Sequence, residues 1–403
     1  MLHQSPAGAQ HKFFSLTDAG AGATIWLQAM HNTTPADTAH RKTAKVLFII
    51  GHQYHRASLD PIYECIKRRG RFEVYFSCTQ EKTRRWLFFP RSLTSQIEEE
   101  LRREGLKTTP ETSGFDAVVT GDILDAPGKY RPAHLCFINH GTGIKTILYR
   151  LLERHKADRY LIFVEGEYRK RRIEEMGVQG ASEILVVGYP KLDPIFQGRF
   201  SREEILGRWG LDPARKTVLY APTYKPTSLD RIGESILSET TDYNLLIKLH
   251  HYSWRGKYAP HWHHRIYEKA VPRYPHARLV PPEQHSILPF IFAADTMISE
   301  ASSTIFEFLA LGKTGIIFDL PCDRLKHHDG MPILDEDNRR FLEGAFVHIA
   351  DPSGIREAIG RALAPSEAMR EKAEGYRRDL FYKLDGHASD RIVDAIEDLV
   401  RLK

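Results

Sequence analysis

A histidine and a glycine-rich turn follow one of the apolar runs of the chain. His140 ends this run and precedes Gly141, Thr142, Gly143 and Lys145. Glycines let a backbone approach an anion closely, and a helix that starts beyond them directs its N–H groups at the anion. An imidazole at a strand tip can accept a proton from a hydroxyl, and a lysine can neutralise a phosphate. The segment therefore suits acid–base chemistry at a phosphate, and a tight turn capped by histidine is the alternative.

Cations also end strands in the second half of the chain. Lys248 and His250 close the run NLLIKLH, and strand alternation places them on the same side with Leu249 opposite. Such a pair can hold a pyrophosphate. Thr223 and Lys225 follow an earlier apolar run. They can contact phosphate oxygens, or they belong to a proline-shaped turn with exposed polar side chains.

A run of hydroxyl residues stands at the start of a predicted helix. Ser302, Ser303 and Thr304 follow the apolar run DTMIS, so hydroxyls, backbone N–H groups and the helix dipole converge on one anion site. Glu307 lies one helical turn beyond Ser303 and faces the same way, where a carboxylate can accept hydrogen bonds from ribose hydroxyls. Simple N-capping is the alternative, and it accounts for one serine better than for the whole pattern.

Histidine-rich segments raise the question of a metal site. His250 and His251 are adjacent, and His261, His263 and His264 belong to the run HWHH. This run stands in a polar, proline-flanked segment without carboxylate or cysteine companions at ligand spacing, so we interpret it as a solvated loop. We expect no metal site and no cofactor, although a divalent metal stays open.

Strand-sized apolar runs alternate with helical patterns from Lys45 onward. The runs lack period-two alternation, which indicates parallel sheets covered on both faces. The alternation restarts after a capping box formed by Ser201 and Glu204. We therefore predict an α/β fold with two Rossmann-like domains facing a cleft. The predicted ranges are a loosely ordered arm over 1–44, one domain over 45–200 and a second over 201–403, with a final helix that can cross back to the first domain.

Composition excludes several classes of protein. The chain has 403 residues, of which 42% are hydrophobic and 27% charged, so wholesale disorder, collagen-like repeats and a disulfide scaffold are excluded. The apolar runs are too short for a membrane span, and the N-terminus lacks a secretory signal pattern. Four widely spaced cysteines indicate reduced thiols in a cytosolic protein. The net charge of +5 suits anionic substrates or an anionic membrane surface, and we expect no nucleic-acid partner.

Two basic runs are candidate contacts with such a membrane surface. Residues 82–89 have the sequence KTRRWLFF, which interleaves cations with large apolar side chains as interfacial segments do. Residues 169–172 have the sequence RKRR, without aromatic residues of their own. A solvated helix face, or buried aromatics beside charged neighbours, is the alternative for both runs and is slightly favoured.

Six motifs, taken in their order along the chain, carry a resemblance to a known family. They are HGTGIK, GYPKLD, LYAPTYKP, IKLHH, ISEASSTIFEFLALGK and DGHASDRI. Over about residues 45–400 the chain resembles the CDP-glycerol glycerophosphotransferases of teichoic-acid and capsule polymer synthesis. The resemblance implies a GT-B architecture, a CDP-activated polyol phosphate donor, a lipid-linked or polymer acceptor, and peripheral attachment to the inner face of the cell membrane.

The resemblance also implies roles for particular side chains. His140 and His250 resemble two histidines of the family motifs, and Ser302 and Ser303 resemble the serines that meet the donor phosphates. The chain departs from the family pattern at Gly143 and His251, where proline is usual. The family usually has arginine near the position of Lys225. It usually has Asp-Tyr where this chain has Glu300-Ala301.

The combined prediction is a transferase that moves a polyol phosphate, with glycerol phosphate favoured, to an acceptor hydroxyl and releases CMP. His140 is the expected base, while Lys248, His250 and the hydroxyl run hold the pyrophosphate in the second domain. The first domain faces the acceptor. There Gly141, Thr142 and Lys145 are expected to contact the acceptor or a phosphate. The alternatives are a nucleotide-sugar glycosyltransferase or epimerase of the same fold, and a non-catalytic polymer-binding protein, which the presence of both histidines disfavours. The oligomeric state is left open.

Overall fold

Strand-sized apolar runs form two parallel sheets in the computed structural model of this chain. The structure describes residues 43–78, 93–139, 141–143, 145–254, 262–321, 323, 325–326, 330–334 and 340–401. The strands of the first half are β1 (Ala44–Ile50), β2 (Phe72–Cys78), β3 (Ala117–Thr120), β4 (His134–Ile138), β5 (Leu161–Val164) and β6 (Glu183–Val186). Its helices are α1 (Arg56–Arg69), α2 (Leu93–Arg103), α3 (Ile147–Arg154), α4 (Glu167–Glu175), α5 (Asp193–Phe196) and α6 (Arg202–Arg208).

The second half repeats this alternation of strands and helices. Its strands are β7 (Thr217–Tyr220), β8 (Asn244–Ile247), β9 (Ala277–Leu279), β10 (Thr296–Ser299), β11 (Ile316–Phe318) and β12 (Val347–Ile349). Its helices are α7 (Leu229–Ile232), α8 (Ser235–Glu239), α9 (His263–Ala270), α10 (Leu288–Ala293), α11 (Ser303–Ala310), α12 (Ile355–Leu363), α13 (Glu367–Leu380) and α14 (Ala388–Arg401).

Each sheet has six strands, and the strand pairs within both sheets are parallel. The orders are β2-β1-β3-β4-β5-β6 and β12-β11-β10-β7-β8-β9. The direction of strand addition reverses between β1 and β3 in the first sheet and between β7 and β10 in the second. Open α/β sheets bind ligands outside the carboxyl ends of their strands at such switch points. The predicted fold class, α/β with two Rossmann-like sheets, is confirmed.

Burial on both faces explains why the strands are continuously apolar. In β1, Val46 to Ile50 are at most 1% exposed, and all four residues of β8 and of β10 are buried. Helices cover each sheet on both sides, so both strand faces meet apolar side chains. Ser201 caps α6 by accepting a hydrogen bond from the backbone N–H of Glu204 at 3.2 Å, which confirms the serine half of the predicted capping box.

The C-terminal helix returns to the first half of the chain. Ile392, Val393 and Ile396 of α14 are fully buried in the hydrophobic cluster that contains β1 and α1. Burial of each such side chain contributes about 1.5–3 kcal/mol. The carboxylate of Asp193 accepts hydrogen bonds from the backbone N–H groups of Ala388 and Ser389, at 3.1 and 2.7 Å. The last helix is therefore anchored beside the segment through which the chain leaves the first sheet.

The N-terminal segment and one of the basic runs lie outside the described residues. These are residues 1–42, which make up most of the predicted arm, and residues 82–89, the run KTRRWLFF. Strand β1 begins at Ala44, one residue before the expected start of the first domain. Among the helices that the structure describes, none has the length and hydropathy that crossing a bilayer requires.

The second basic run, RKRR, belongs to α4 and packs within the protein. Arg169 is 2% exposed, and its guanidinium lies 2.9 Å from the carboxylate of Glu165. The guanidinium of Arg171 lies 3.2 Å from the carboxylate of Asp379 in α13. The guanidinium of Arg172 lies 3.2 Å from the carboxylate of Glu175. Intramolecular ion pairs thus account for three of the four positions, including the buried one.

Candidate functional site

A cavity of about 630 Å³ opens where the carboxyl ends of the two sheets face each other. This volume lies in the range of small-molecule sites, about 300–1,000 Å³. The first half contributes Gln53, Tyr54, Lys145 and Lys191 to the wall. The second half contributes the residues that follow β7, β8 and β10, the strands at and beside its switch point. The cavity therefore lies at the place where the fold class binds ligands.

The glycine-rich turn after β4 packs against the start of α11. A Cβ atom on Gly141 would lie 3.6 Å from Cβ of Ser303, and one on Gly143 would lie 2.6 Å from two ring carbons of Phe306. Gly143 also has φ of +107°, which proline cannot adopt because its ring holds φ near about −65°. This conformation explains why glycine stands where the family pattern has proline. The turn brings two of the predicted motifs together, and His140 itself lies outside the described residues.

Two further contacts hold this turn in place. The guanidinium of Arg169 donates a hydrogen bond to the carbonyl of Gly143. Thr146 donates from its hydroxyl to the carbonyl of Pro332 at 2.7 Å and from its N–H to the carbonyl of Ile333 at 3.0 Å. The turn is thus tied to both halves of the chain. Sequence reasoning missed Arg169 as a support, because it treated the run RKRR as a possible surface patch.

Thr142 belongs to this turn but is not part of the cavity wall. It is 4% exposed, and its buried hydroxyl has no hydrogen-bond partner among the described residues. Its predicted contact with an acceptor or a phosphate stays a prediction.

Two lysines, Lys145 and Lys248, bring positive charge to the cavity wall. Within the described ranges, neither Lys145 nor Lys248 takes part in an ion pair. Burial lowers the pKa of Lys248 to about 8. Burial also lowers the pKa of Lys145, although the nearby carboxylate of Glu300 opposes this shift. A bound anion would favour the charged state of both ammonium groups, so the wall is suited to a multiply charged ligand.

His250 is a hydrogen-bond donor at this wall. Its Nδ1 accepts from the backbone N–H of Tyr252 at 3.2 Å, so the proton of the neutral ring is on Nε2. Burial, followed by electrostatic repulsion from His251, Lys145 and Lys248, holds the pKa of His250 well below its usual value. The ring of Tyr224 lies 4.5 Å from the imidazole, measured between centroids. The imidazole is thus held in one tautomer by its backbone contact.

A buried carboxylate organises the loop after β7. Glu300 is 1% exposed, and it accepts hydrogen bonds from the backbone N–H groups of Thr223 at 2.7 Å and Ser228 at 2.5 Å. Burial raises the pKa of Glu300, and these hydrogen bonds oppose the rise. The carboxylate positions Thr223 and Lys225 at the cavity. Sequence reasoning noted Glu300 only as a departure from the family pattern; an acidic residue directly after a buried strand was the available signal.

The residues of the hydroxyl run have two roles: one caps a helix, and another lines the cavity beside the helix N-terminus. Ser302 is the N-cap of α11: its Oγ accepts from the N–H of Thr304 at 3.4 Å and lies 2.9 Å from the hydroxyl oxygen of Thr304. Ser303, the first residue of α11, also lines the cavity, where the first N–H groups of a helix have no partner within the helix. Capping by Ser302 therefore leaves Ser303 and the helix N-terminus to meet an anion.

Glu307 lies behind the wall. It is fully buried, and its Oε1 accepts from Nζ of Lys191 at 2.6 Å and from the hydroxyl of Tyr189 at 3.2 Å. Burial and the adjacent carboxylate raise the pKa of Tyr189 well above its usual value. Glu307 thus positions Lys191, a cavity residue that sequence reasoning missed although the motif GYPKLD contains it. The predicted contact of Glu307 with a ribose stays a prediction.

The structure brings eight of the predicted site residues to one cavity wall. They are Lys145, Thr223, Lys225, Lys248, His250, Ser302, Ser303 and Thr304. The interpretation of HWHH as a loop is wrong for His263 and His264, which begin α9. His263 is buried with its Nε2 3.1 Å from the carboxylate of Asp230, an arrangement that the local polarity of the sequence does not reveal.

A known protein family matches most of this chain. A sequence profile of the family described as CDP-Glycerol:Poly(glycerophosphate) glycerophosphotransferase matches residues 136–398. The match spans the turn after β4 and the second half of the chain, which together supply the eight predicted residues on the cavity wall. A comparison with curated protein sequences finds no match.

Solved structures share the architecture. The wall teichoic acid polymerase TagF, in a variant soaked with CDPG, aligns with a TM-score of 0.63 at 17% identity, covering 90% of each chain. The S. aureus MnaA–UDP structure aligns with a TM-score of 0.55 at 14% identity, covering 89% of this chain and 98% of MnaA. A putative UDP-N-acetylglucosamine 2-epimerase from Listeria monocytogenes aligns with a TM-score of 0.56 at 14% identity, covering 90% and 98%. At these identities the likeness concerns the fold.

Proposed function

Because this chain belongs to the CDP-glycerol:poly(glycerophosphate) glycerophosphotransferase family, we propose that it transfers glycerol phosphate from CDP-glycerol to an acceptor hydroxyl. The match confirms the resemblance inferred from the six motifs. In the proposed reaction the acceptor oxygen bonds to the phosphorus that carries glycerol, and the bond from that phosphorus to the CMP oxygen breaks. The hydroxyl proton passes to a base, for which we propose His140, and CMP leaves. The acceptor is a growing polymer or a lipid-linked primer.

The observation that carries the proposal is the positive charge of two lysines beside a helix N-terminus. Lys145 and Lys248 approach the cavity from different halves of the chain, and Ser303 begins α11 at the same wall. A diphosphate is a ligand that matches two cations and a set of N–H donors at once. In a loose phosphoryl-transfer transition state, charge shifts toward the leaving phosphate, where such donors stabilise it. His250 adds a donor at Nε2 while its ring is neutral.

Product analysis tests this function against its rival. The full chain is incubated with a panel of CDP-polyols and nucleotide sugars in the presence of candidate acceptors, and released nucleotides are separated. We expect CMP from CDP-glycerol. Release of UDP from a nucleotide sugar would instead assign the chain to a glycosyltransferase or epimerase, and absence of turnover with bound nucleotide would assign it to a binding protein.

The two serines at the start of α11 are expected to respond differently to alanine. Ser303→Ala should weaken CDP-glycerol binding about tenfold, because a hydrogen bond to a charged group contributes about 1.5–3 kcal/mol, with unfolding little changed. Ser302→Ala removes the helix cap, so it should lower the free energy of unfolding by about 1 kcal/mol. Calorimetry with CDP-glycerol and thermal unfolding of both variants measure this. Equal effects on binding would show that Ser303 only supports the helix.

Donor binding is expected to weaken as the pH rises through about 8. Below its pKa of about 8 the ammonium of Lys248 is charged and attracts the diphosphate, and above it the amine is neutral. The dissociation constant should then rise by up to about tenfold per pH unit, while Lys248→Arg, which stays charged, should leave only the part of this dependence that Lys145 contributes. Lys225→Arg, a change at an exposed lysine of the same wall, is the control and should keep the wild-type profile. Identical profiles for all three chains would contradict the assignment.

We further propose that the run 82–89 attaches the protein to an anionic membrane surface. Replacing Lys82, Arg84 and Arg85 together should lower the affinity for phosphatidylglycerol vesicles about a hundredfold, since each basic residue contributes about 1 kcal/mol. Binding of the unmodified chain should also fall with salt. The control replaces three exposed cations in and after α9, Arg265, Lys269 and Arg273. Vesicle co-sedimentation measures both, and an equal loss in the control would exclude a specific attachment segment.

A further inference from the structure

Two histidines and an aspartate meet at the switch point of the first sheet. His52 follows β1 by two residues, and His55 ends the turn Gln53–His55, so the pair has the spacing His-x-x-His. Asp122 follows β3 by two residues. Strands β1 and β3 are parallel neighbours, so their carboxyl ends deliver these side chains to one place. That place is the switch point of the β2-β1-β3-β4-β5-β6 sheet, where sheets of this order bind ligands.

The three side chains are arranged as metal ligands are. One donor atom from each of His52, His55 and Asp122 lies within 4.8 Å of the other two. Nε2 of His55 lies 3.2 Å from Oδ2 of Asp122. Bonds of about 2.0–2.2 Å to a tetrahedral zinc ion place two ligand atoms about 3.3–3.5 Å apart. The His55–Asp122 separation is already close to that value, and the donor atom of His52 lies within 4.8 Å of both.

His55 is held at this position by its surroundings. Its side chain is 1% exposed. Gly121 directly precedes Asp122, and a Cβ atom on Gly121 would lie 3.0 Å from Cγ of His55. Glycine at that position therefore lets the imidazole approach the loop that carries the carboxylate. The ring of His52 packs edge-on against the ring of His55, with 5.1 Å between centroids.

We propose that His52, His55 and Asp122 bind one divalent transition-metal ion of the zinc type. Two imidazoles and one carboxylate form a mixed nitrogen and oxygen set, which suits zinc, cobalt or manganese better than calcium or magnesium, whose ligands are oxygens. Three protein ligands leave a coordination position open, as in zinc sites that bind an exchangeable oxygen ligand. This inference goes beyond the proposed function and does not depend on it.

The ion would lie beside the first-half wall of the cavity. Gln53 and Tyr54, the two residues between the histidines, line the cavity. The ring of Tyr54 lies 5.5 Å from the ring of His251, measured between centroids, and thus reaches the second half. The open position can take an oxygen of a ligand that enters from this side. Lys248, His250 and Ser303, the residues proposed to bind the CDP-linked donor, all belong to the second half of the chain. The metal site therefore lies beside a different part of the cavity wall.

Metal binding by the full chain tests the proposal without an activity assay. The protein is stripped with a chelator, dialysed and titrated with Co²⁺, whose visible absorption reports its coordination. Zn²⁺ content after gel filtration is measured in parallel by mass spectrometry. We expect one equivalent of metal per chain. His52→Ala and Asp122→Asn should each weaken binding at least tenfold, and both replace side chains that are only partly buried, so the fold is retained.

Asp230→Asn is the matched control. Asp230 also pairs with a buried histidine, His263, at 3.1 Å, and both histidine side chains are 1% exposed. The control should bind one equivalent as the wild type does. Absence of retained metal in the wild type would overturn the proposal. So would equal binding by the wild type, His52→Ala and Asp122→Asn, which would place the metal elsewhere.

Discussion

Replacing Gly143 with alanine is expected to lower the single-turnover rate about a hundredfold. The new Cβ atom would lie 2.6 Å from Cδ2 and Cε2 of Phe306, and the residue would have to keep φ of +107°. Strain of this kind costs about 1–3 kcal/mol and is relieved when the turn moves. Because the turn carries the proposed base at His140, a displacement of about 1 Å is enough for a loss of this size.

The control for this experiment is a similar clash away from the cavity. In Gly315→Ala, the added Cβ atom would lie 2.7 Å from Cε2 of Phe346, again an aromatic ring. We expect this variant to lose stability while turnover per folded molecule stays near that of the wild type. Rates are measured with saturating CDP-glycerol after thermal unfolding of each variant. A comparable loss of turnover in both variants would mean that the geometry of the turn after β4 is not specifically required.

Replacing each of the two motif histidines is expected to change different kinetic quantities. His140→Ala should lower the single-turnover rate about a hundredfold or more and leave donor affinity nearly intact, because the base acts on the acceptor hydroxyl. His250→Ala should also weaken donor binding by about tenfold or more, because the diphosphate loses a hydrogen bond from Nε2. The structural reason is the contact of Nδ1 with the N–H of Tyr252, which leaves Nε2 as the donor.

Donor affinity and single-turnover rate are measured for both histidine variants and for His155→Ala. The imidazole of His155 pairs with Asp158 at 3.1 Å after α3, so its loss controls for removing a histidine outside the cavity. Normal turnover in His140→Ala would remove it as the base and return the turn to a structural role. Unchanged donor affinity in His250→Ala would remove the proposed contact with the diphosphate.

Local patterns in the sequence were sufficient to predict the helices and strands and most of the residues that line the cavity. Continuous apolar runs predicted buried parallel strands, and the residue types at strand ends predicted where Lys248, His250 and Ser303 would meet. These inferences need only backbone periodicity and the rule that parallel strands end at one edge. The helix cap at Ser201 is equally local, since Ser201 and the N–H of Glu204 lie within one turn.

Pairings between distant residues could not be predicted in this way. Glu307 was predicted to meet a ribose, but in the structure its carboxylate is buried and pairs with Lys191, which is 116 positions away along the chain. The role of Glu300 depends on two N–H groups of a loop more than seventy positions earlier. His52 and His55 form a visible His-x-x-His pattern, but a carboxylate becomes its companion only through the adjacency of β1 and β3. Periodicity assigns a face, and tertiary packing selects the partner.

The return of the C-terminal helix determines how the cavity can change width. The chain crosses between the two halves twice, first after β6 and again before α14. The two crossing segments are in contact, since a Cβ atom on Gly188 would lie 2.8 Å from the carbonyl oxygen of Tyr382. The N–H of Tyr382 donates to the carbonyl of Glu165 at 2.8 Å. Two adjacent covalent passages resist sliding of one half past the other and permit rotation about the line that joins them. Entry of a donor and departure of CMP are therefore expected to proceed by a swing about this single pivot, with both sheets moving as rigid bodies.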